Sequence, residues 1–200
     1  MKKILLATHN RHKVREMAQI LASGGLEGYE VFSLDEVGIT EDVEETGTTF
    51  EENALIKARA AAHPDYIVAA DDSGLEVDAL EGAPGVYSAR YCGDHASDEE
   101  NNEKLLRELG DTPMEKRTAR YVCAIAAIFP NGEEWVSRST CEGYIGFELN
   151  GTEGFGYDPM FYPLGYRVTF GQVPAEEKHT ISHRGKAVRA LVEWLKEKEK

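Results

Sequence analysis

The stretch Ala69-Ala70-Asp71-Asp72-Ser73-Gly74-Leu75 decides how the rest of the sequence is interpreted. It follows an apolar run from Tyr66 that predicts a buried strand ending at Ala70. Burying a carboxylate costs several kcal/mol unless a cation or hydrogen-bond donors contact it. Because successive strand side chains point to opposite faces, we expect one aspartate to be a structural acceptor and the other to face a cleft. The alternative is a simple turn with Asp and Gly at its corner.

The composition is that of an ordinary globular protein, with 42% hydrophobic and 29% charged residues in a chain of 200. This length suits one domain or two small lobes with a sizeable core. The formal net charge of −14 disfavours a nucleic-acid polymer or an anionic membrane as the main partner. An acidic protein that binds phosphates must therefore gather positive charge locally or recruit a divalent cation.

The cysteines and the N-terminal residues indicate a cytoplasmic protein. Cys92, Cys123 and Cys141 are odd in number and widely spaced, which favours reduced thiols. Lys2-Lys3 precedes only a short apolar run, so no signal peptide is predicted. No stretch approaches the roughly 20 apolar residues of a membrane span.

The first strand and helix combine into a candidate anion site. A strand over residues 3–7 precedes a helix whose apolar stripe contains Val14 and Leu21, with Asn10 as N-cap and Gly24-Gly25 at its end. Bases crowd the first turn, where the helix dipole disfavours them: Arg11, His12, Lys13 and Arg15. Free N–H groups and bases at a helix start predict anion binding. A solvated basic turn explains them equally well.

Capping boxes predict two further helices, over residues 49–62 and 97–109. A strand over 29–34 and an acidic loop over 41–47 precede the first of them. Such loops are usually solvated surface. Residues 86–91 are predicted to be extended.

The second half of the chain is rich in β-formers. Residues 119–129, 133–140 and 141–147 predict antiparallel strands. A last amphipathic helix is expected to begin at Ser182 as N-cap and to carry an apolar stripe of Ala187, Ala190, Leu191, Trp194 and Leu195. The predicted class is α/β or mixed α+β, with two lobes and helices flanking a central mixed sheet.

A glycine-rich loop over residues 151–159 carries Phe155 and Tyr157. No Gly-Lys-Ser/Thr follows it, and a short strand at 160–162 follows in place of a helix, so Walker and dinucleotide-binding motifs are excluded. The loop either presents its two rings to a planar ligand or is a hairpin turn with two core aromatics, and composition alone favours the turn.

A second basic pair, His183-Arg184, stands at the start of the last helix. Bases at two helix starts, carboxylates in two segments and aromatics in a glycine loop are the parts of a nucleotide polyphosphate site. Oxygen ligands favour Mg²⁺ or Mn²⁺ over zinc. The sequence resembles the inosine/xanthosine triphosphate pyrophosphatase family in motifs that span nearly the whole chain: Thr8-x-Asn10-x-x-Lys13, Glu44-Glu45-Thr46-Gly47-x-Thr-Phe50-x-Glu-Asn53-Ala-x-x-Lys57-Ala, Ala70-Asp71-Asp72-Ser73-Gly74-Leu75, Gly82-Ala-Pro-Gly85-x-Tyr87-Ser-Ala-Arg90, Gly154-Phe-Gly-Tyr-Asp158-Pro and Lys178-x-x-Ile-Ser182-His183-Arg184.

The resemblance implies a single elongated mixed α/β domain over residues 1–200, with two lobes, the site in the cleft between them, and a homodimeric assembly. It also implies Mg²⁺-dependent hydrolysis of ITP, dITP and XTP between the α and β phosphates, which cleanses the nucleotide pool. A related pyrophosphatase for unusual pyrimidine nucleotides and a non-catalytic nucleotide-binding module are the alternatives.

The resemblance also implies roles for individual residues. Asp72 matches the general base and metal ligand, and Glu45 or its neighbour Glu44 matches the second metal-binding acid. Lys13 matches the main catalytic cation. His9 stands where the family often has a smaller residue. The implied substrate-binding set is Thr8, His9, Asn10, Arg11, His12, Lys13, Ser73, Phe155, Gly156, Tyr157, Asp158, Lys178, His183 and Arg184.

Overall fold

The computed structural model describes residues 1–198, which form a mixed β-sheet flanked by helices. The strands are β1 (Lys2–Leu6), β2 (Tyr29–Ser33), β3 (Ile67–Val77), β4 (Thr118–Ile128), β5 (Glu134–Ile145) and β6 (Phe161–Pro163). The α-helices are α1 (Arg11–Ser23), α2 (Phe50–Ala60), α3 (Asp98–Leu109), α4 (Ala175–Ile181) and α5 (His183–Glu197). The sheet has six strands in the order β2-β1-β3-β4-β5-β6, which confirms the predicted class.

The sheet is parallel at its β2 end and antiparallel at its β6 end. β1 runs parallel to β2 and β3, and Ile4 pairs with Val31 on one side and Ile67 on the other. β5 runs antiparallel to β6, where Tyr144 lies opposite Tyr162 with the ring centroids 5.0 Å apart. Parallel neighbours need crossover connections, which α1 and α2 supply.

The chain divides into two compact units. Unit 1 contains residues 1–72, 123–139 and the chain from Arg184 onward, and unit 2 contains residues 73–122 and 140–183. The core of unit 1 includes Ile4, Leu6, Met17, Leu21, Ile125, Val188, Leu191 and Leu195. The core of unit 2 includes Leu75, Val77, Leu105, Leu109, Tyr121, Phe161 and Phe170.

The predicted helix starts agree with the structure. Asn10 caps α1, and Gly24 follows the helix. α2 and α3 each begin with a complete capping box, in which Thr49 and Ser97 bond the backbone of Glu52 and Glu100 and receive the reciprocal bond. These caps satisfy backbone N–H groups that a helix start leaves without an intrahelical partner.

Three local predictions were wrong, and one helix was not predicted. β3 does not end at Ala70 but continues to Val77, because both aspartates meet cations inside unit 1 and the backbone can stay extended. Gly85–Arg90 is a 3-10 helix, not an extended segment, and buried Ser88 within it bonds the carbonyl of Gly85. The two strands predicted over 133–147 are the single strand β5. An additional helix, α4, precedes Ser182.

Within residues 1–198, every helix is too short or too polar to cross a lipid bilayer.

Candidate active site

The turn between β1 and α1 is organised by Asn10. Its Oδ1 accepts hydrogen bonds from the backbone N–H groups of His12 at 3.0 Å and Lys13 at 3.2 Å. The Asn10 N–H in turn donates to Thr8 Oγ1 at 3.2 Å. The predicted cap therefore occupies these two N–H groups. Arg11 and His12 are exposed on the first turn, so positive charge is still concentrated there.

Asp71 is a buried structural acceptor in unit 1. Its Oδ2 lies 3.1 Å from Lys13 Nζ and 3.3 Å from Arg184 Nη2. Burial alone raises the pKa of Asp71, but the charges of Lys13 and Arg184 outweigh it and hold the pKa well below its ordinary value. Arg184 also bonds Glu16 Oε2 through Nη1 at 2.5 Å, so its guanidinium joins two carboxylates.

Asp72 and Glu45 converge on one cation in unit 1. Lys57 Nζ lies 3.1 Å from Glu45 Oε1 and 3.4 Å from Asp72 Oδ1. Burial raises the pKa of Asp72 to about 6, although Lys57 and Lys13 oppose this shift. The Asp72 carboxyl therefore binds a proton more readily than an exposed aspartate does.

The Asp72–Glu45 pair fits a hard divalent cation. The ammonium of Lys57 shows that the two carboxylates can hold a positive charge between them. Among residues 1–198, no group of three or more His, Cys, Asp or Glu side chains is arranged to hold a metal ion. Mg²⁺ is commonly bound by one or two carboxylates together with substrate phosphates, which suits this pair. Glu44 is exposed in the same loop.

His9 connects the β1–α1 turn to the acidic segment of unit 1. Its Nε2 lies 3.2 Å from the backbone carbonyl oxygen of Glu41, and its Nδ1 lies 3.5 Å from Asp35 Oδ1. Because a carbonyl oxygen only accepts, Nε2 carries the proton in this contact. The imidazole thus contacts two acceptors of the protein, and its expected role as a phosphate ligand stays a prediction.

The glycine loop of unit 2 is closed by Asp158. Asp158 Oδ2 accepts from the Phe155 N–H at 2.9 Å and from Lys178 Nζ at 2.7 Å. Gly154 has φ +73°, and a Cβ there would lie 2.0 Å from Asp158 Oδ2, so only glycine fits. Lys178 Nζ also lies 5.2 Å from the ring centroid of Phe155.

The two aromatics of this loop differ in exposure. Phe155 is half-buried, whereas Tyr157 is buried and its hydroxyl donates to the carbonyl of Ser88 at 2.7 Å. Burial also raises the pKa of Tyr157 above its ordinary value. The interpretation that the loop presents both rings was wrong for Tyr157, because this ring belongs to the core of unit 2.

His183 and Ser73 are the remaining predicted site residues of unit 2. The His183 ring is buried and stacks on Tyr121, with centroids 4.5 Å apart and an interplanar angle of 6°. Ser73 is half-buried in β3, directly after Asp72. An imidazole held flat against another ring has few orientations available, so its nitrogens are directed consistently.

The structure thus assembles the predicted residues in two groups. Unit 1 contains Thr8, His9, Asn10, Arg11, His12, Lys13, Glu44, Glu45, Asp72 and Arg184. Unit 2 contains Ser73, Phe155, Gly156, Tyr157, Asp158, Lys178 and His183.

Sequence reasoning gave no role to Lys57 or Glu16. Lys57 follows Ala54 by three positions and precedes Ala58, so it lies on the buried stripe of an alanine-rich helix. A lysine on such a stripe predicts a buried anionic partner, and this signal was available. Nothing in the local sequence paired Glu16 with Arg184, which is 168 positions away.

Comparison with known proteins agrees with this arrangement. The model of the Ham1 family matches residues 4–194. A dITP/XTP pyrophosphatase of Clostridium perfringens is 48% identical over 203 aligned positions, covering 98% of each chain. A protein of the same name from Exiguobacterium sibiricum is 51% identical and covers 94% of each chain.

A solved structure shares the whole fold. The Staphylococcus aureus Ham1 protein is 45% identical, covers 100% of both chains and superposes with a TM-score of 0.86. The family match over almost the full length and this agreement in structure confirm the resemblance seen in the sequence motifs. The chain belongs to the Ham1 family.

Proposed function

We propose that this chain hydrolyses the non-canonical purine nucleotides ITP, dITP and XTP to the monophosphate and pyrophosphate. The names of its relatives support this substrate class. The observation that carries the proposal is the convergence of Glu45 and Asp72 on Lys57, beside the Lys13–Asp71 pair. This cluster combines two buried carboxylates, Asp71 and Asp72, with Lys13 in the first turn of α1, and a metal-assisted triphosphate site requires such charges.

Mg²⁺ is the proposed cofactor, with Mn²⁺ as a possible substitute, and Glu45 and Asp72 are the residues that would hold it. When bound, the metal supplies positive charge that offsets the charge of the phosphate oxygens. We assign Glu44 as an alternative ligand, because it is exposed in the same loop.

Different residues of unit 1 then have separate roles in the reaction. Asp72 accepts a proton from the water that attacks the α-phosphorus, a role that suits a carboxyl buried among charged groups. The bond from the α-phosphorus to the bridging oxygen breaks, and pyrophosphate leaves. Lys13 neutralises charge on the leaving group, with Arg11, His12 and the exposed end of α1 beside it. Asp71, which is itself paired with Arg184, holds Lys13 in place.

We assign recognition of the purine base of the nucleotide to unit 2. Phe155 offers a half-buried ring, and Lys178 and His183 offer hydrogen-bond donors or acceptors on rigid supports. A 6-oxo purine presents an acceptor where adenine presents a donor. If the site offers hydrogen-bond donors at this position, one of them has no acceptor when ATP is bound, which disfavours ATP. Contacts of Ser73, Gly156 and Arg184 with the nucleotide belong to the same proposal.

The test is to incubate the purified chain with Mg²⁺ and each of ITP, dITP, XTP, GTP, ATP, dTTP and UTP, and to measure pyrophosphate and orthophosphate. We expect pyrophosphate release from the first three and little from the others. Release confined to dTTP or UTP would favour the pyrimidine enzyme. Binding of ITP without any release would favour the non-catalytic module.

Assembly, location and domain organisation remain proposals. We propose a cytoplasmic homodimer in which each chain is one domain of two lobes, as the sequence resemblance implies. Sedimentation of the purified chain tests the assembly, and a structure with ITP and Mg²⁺ tests the position of the nucleotide.

A further inference from the structure

Two side chains of α3 hold the peptide groups on both sides of Gly156. The Gly156 N–H donates to Asp98 Oδ2 at 2.7 Å. The Gly156 carbonyl accepts from Asn102 Nδ2 at 3.1 Å. Asp98 and Asn102 are one turn apart on the same helix, so they act on the loop from one rigid support.

The Gly156 contacts are distinct from those that close the loop on itself. Asp158 and Lys178 bond Phe155 and each other, which fixes the shape of the loop. The α3 contacts instead fix the loop to the body of unit 2. Gly156 directly follows Phe155, so the same contacts determine where the Phe155 ring is placed.

The side chain of Asn102 carries a buried polar atom that lowers the stability of the protein. It is buried, with 4% of its surface exposed, and within residues 1–198 its Oδ1 has no hydrogen-bond partner. An unsatisfied buried acceptor is destabilising, and an apolar side chain at this position would not bear that cost. The amide is therefore explained better by the hydrogen bond that its Nδ2 donates to Gly156 than by packing at this position.

We propose that Asp98 and Asn102 are positioning residues for base recognition, which place Phe155 and the backbone of Gly156 against the purine. This inference rests on the proposed function. It predicts that loss of either contact weakens nucleotide binding but leaves the chemical step intact, because the phosphate-binding cluster belongs to unit 1.

The test compares four variants in steady-state hydrolysis of dITP with Mg²⁺. Asp98→Ala and Asn102→Leu are expected to raise KM by about 5-fold, the loss that one hydrogen bond represents, with kcat unchanged. Asp98→Asn keeps an acceptor for the Gly156 N–H and is expected to retain the wild-type KM. Asn101→Leu is the matched control, because Asn101 is equally buried on α3 but bonds Cys92 and Ala89 instead.

Hydrogen exchange of the nucleotide-free protein gives a second readout. Segment 154–158 should exchange faster in Asp98→Ala and Asn102→Leu, whereas Asn101→Leu should accelerate only segment 89–92.

The outcomes separate this inference from the function on which it rests. Absence of pyrophosphate release by the wild-type chain would overturn the proposed function. Wild-type release together with an unchanged KM in both Asp98→Ala and Asn102→Leu would overturn only the positioning role. A fall in kcat equal to the rise in KM would also contradict it, because the contacts would then act on the chemical step.

Discussion

Lys57 Nζ lies 3.4 Å from Asp72 Oδ1, and the side chains of both residues are largely buried. The same ammonium lies 3.1 Å from Glu45 Oε1. A lysine of α2 therefore places one positive charge between the two carboxylates to which we assign the metal. This contact explains how an acidic protein with a net charge of −14 can keep these carboxylates together.

Replacing Lys57 should destabilise the protein in a way that Mg²⁺ partly corrects. Lys57→Met keeps the length of the side chain but removes the ammonium that contacts both Asp72 and Glu45, so we expect the free energy of unfolding to fall by about 3 kcal/mol. Urea unfolding in EDTA measures it, and repetition in excess Mg²⁺ should recover part of the loss. Lys116→Met, at an exposed position, is the control. A Lys57→Met protein as stable as the wild type would refute the contact's importance.

Asp72→Asn should abolish most turnover while nucleotide binding persists. The amide keeps the shape of the side chain but cannot accept the proton of the attacking water, so a fall of about 10²- to 10⁴-fold in kcat is expected. Pyrophosphate release and equilibrium binding of ITP measure the two properties separately. Asp111→Asn, on the surface, serves as control. Near-normal turnover in the Asp72 variant would exclude this residue as the base.

Arg117 has a structural role, and we expect that lysine at this position does not preserve the stability of the protein. Its guanidinium donates to four backbone carbonyls, those of Gly110, Thr112, Ile145 and Gly146. A single ammonium cannot reach all four carbonyls, so some of them lose their donor in Arg117→Lys. We expect the free energy of unfolding to fall by about 2–4 kcal/mol. Chemical denaturation measures it, with exposed Arg107→Lys as control. Equal midpoints for the two variants would contradict this account.

Protonation of Asp78 should lower the free energy of unfolding in acid. Hydrogen bonds from Arg120 and Thr118 lower the pKa of Asp78 below its ordinary value of 3.8. A carboxyl with a lowered folded-state pKa stabilises the protein fully above its unfolded pKa, and this contribution is lost as the pH falls through the folded pKa. Asp78→Asn should therefore weaken the decline in unfolding free energy below about pH 4. Identical pH profiles for wild type and variant would disprove the contribution.

The thiols should differ sharply in reactivity. Cys92 is exposed, whereas Cys123 and Cys141 are buried, and all are free thiols. Burial raises the pKa of Cys123 to about 12, so its thiolate is scarce at neutral pH. A thiol reagent should label Cys92 alone in the native protein and all three cysteines in denaturant. Prompt labelling of Cys123 in the native state would contradict the burial.

Local sequence signals were sufficient for the starts of α1, α2 and α3. The capping boxes at Thr49 and Ser97 and the cap at Asn10 involve residues within a few positions of one another, so the sequence contains both partners. The motifs also identified the family. The failure at Asp71 had a different cause, because whether a carboxylate ends a strand depends on a cation that the strand itself does not contain.

The sequence by itself therefore determined most of the elements, the class of fold and the residue types of the candidate site. Only the tertiary structure decided which charges meet. Arg184 bonds Glu16 and Asp71 across 168 and 113 positions, and Gly156 bonds Asp98 across 58. The physical reason is that local hydrogen bonds and hydrophobic periodicity act over a few residues, whereas ion pairs and loop contacts depend on distances in space, which arise only when the strands have been placed side by side.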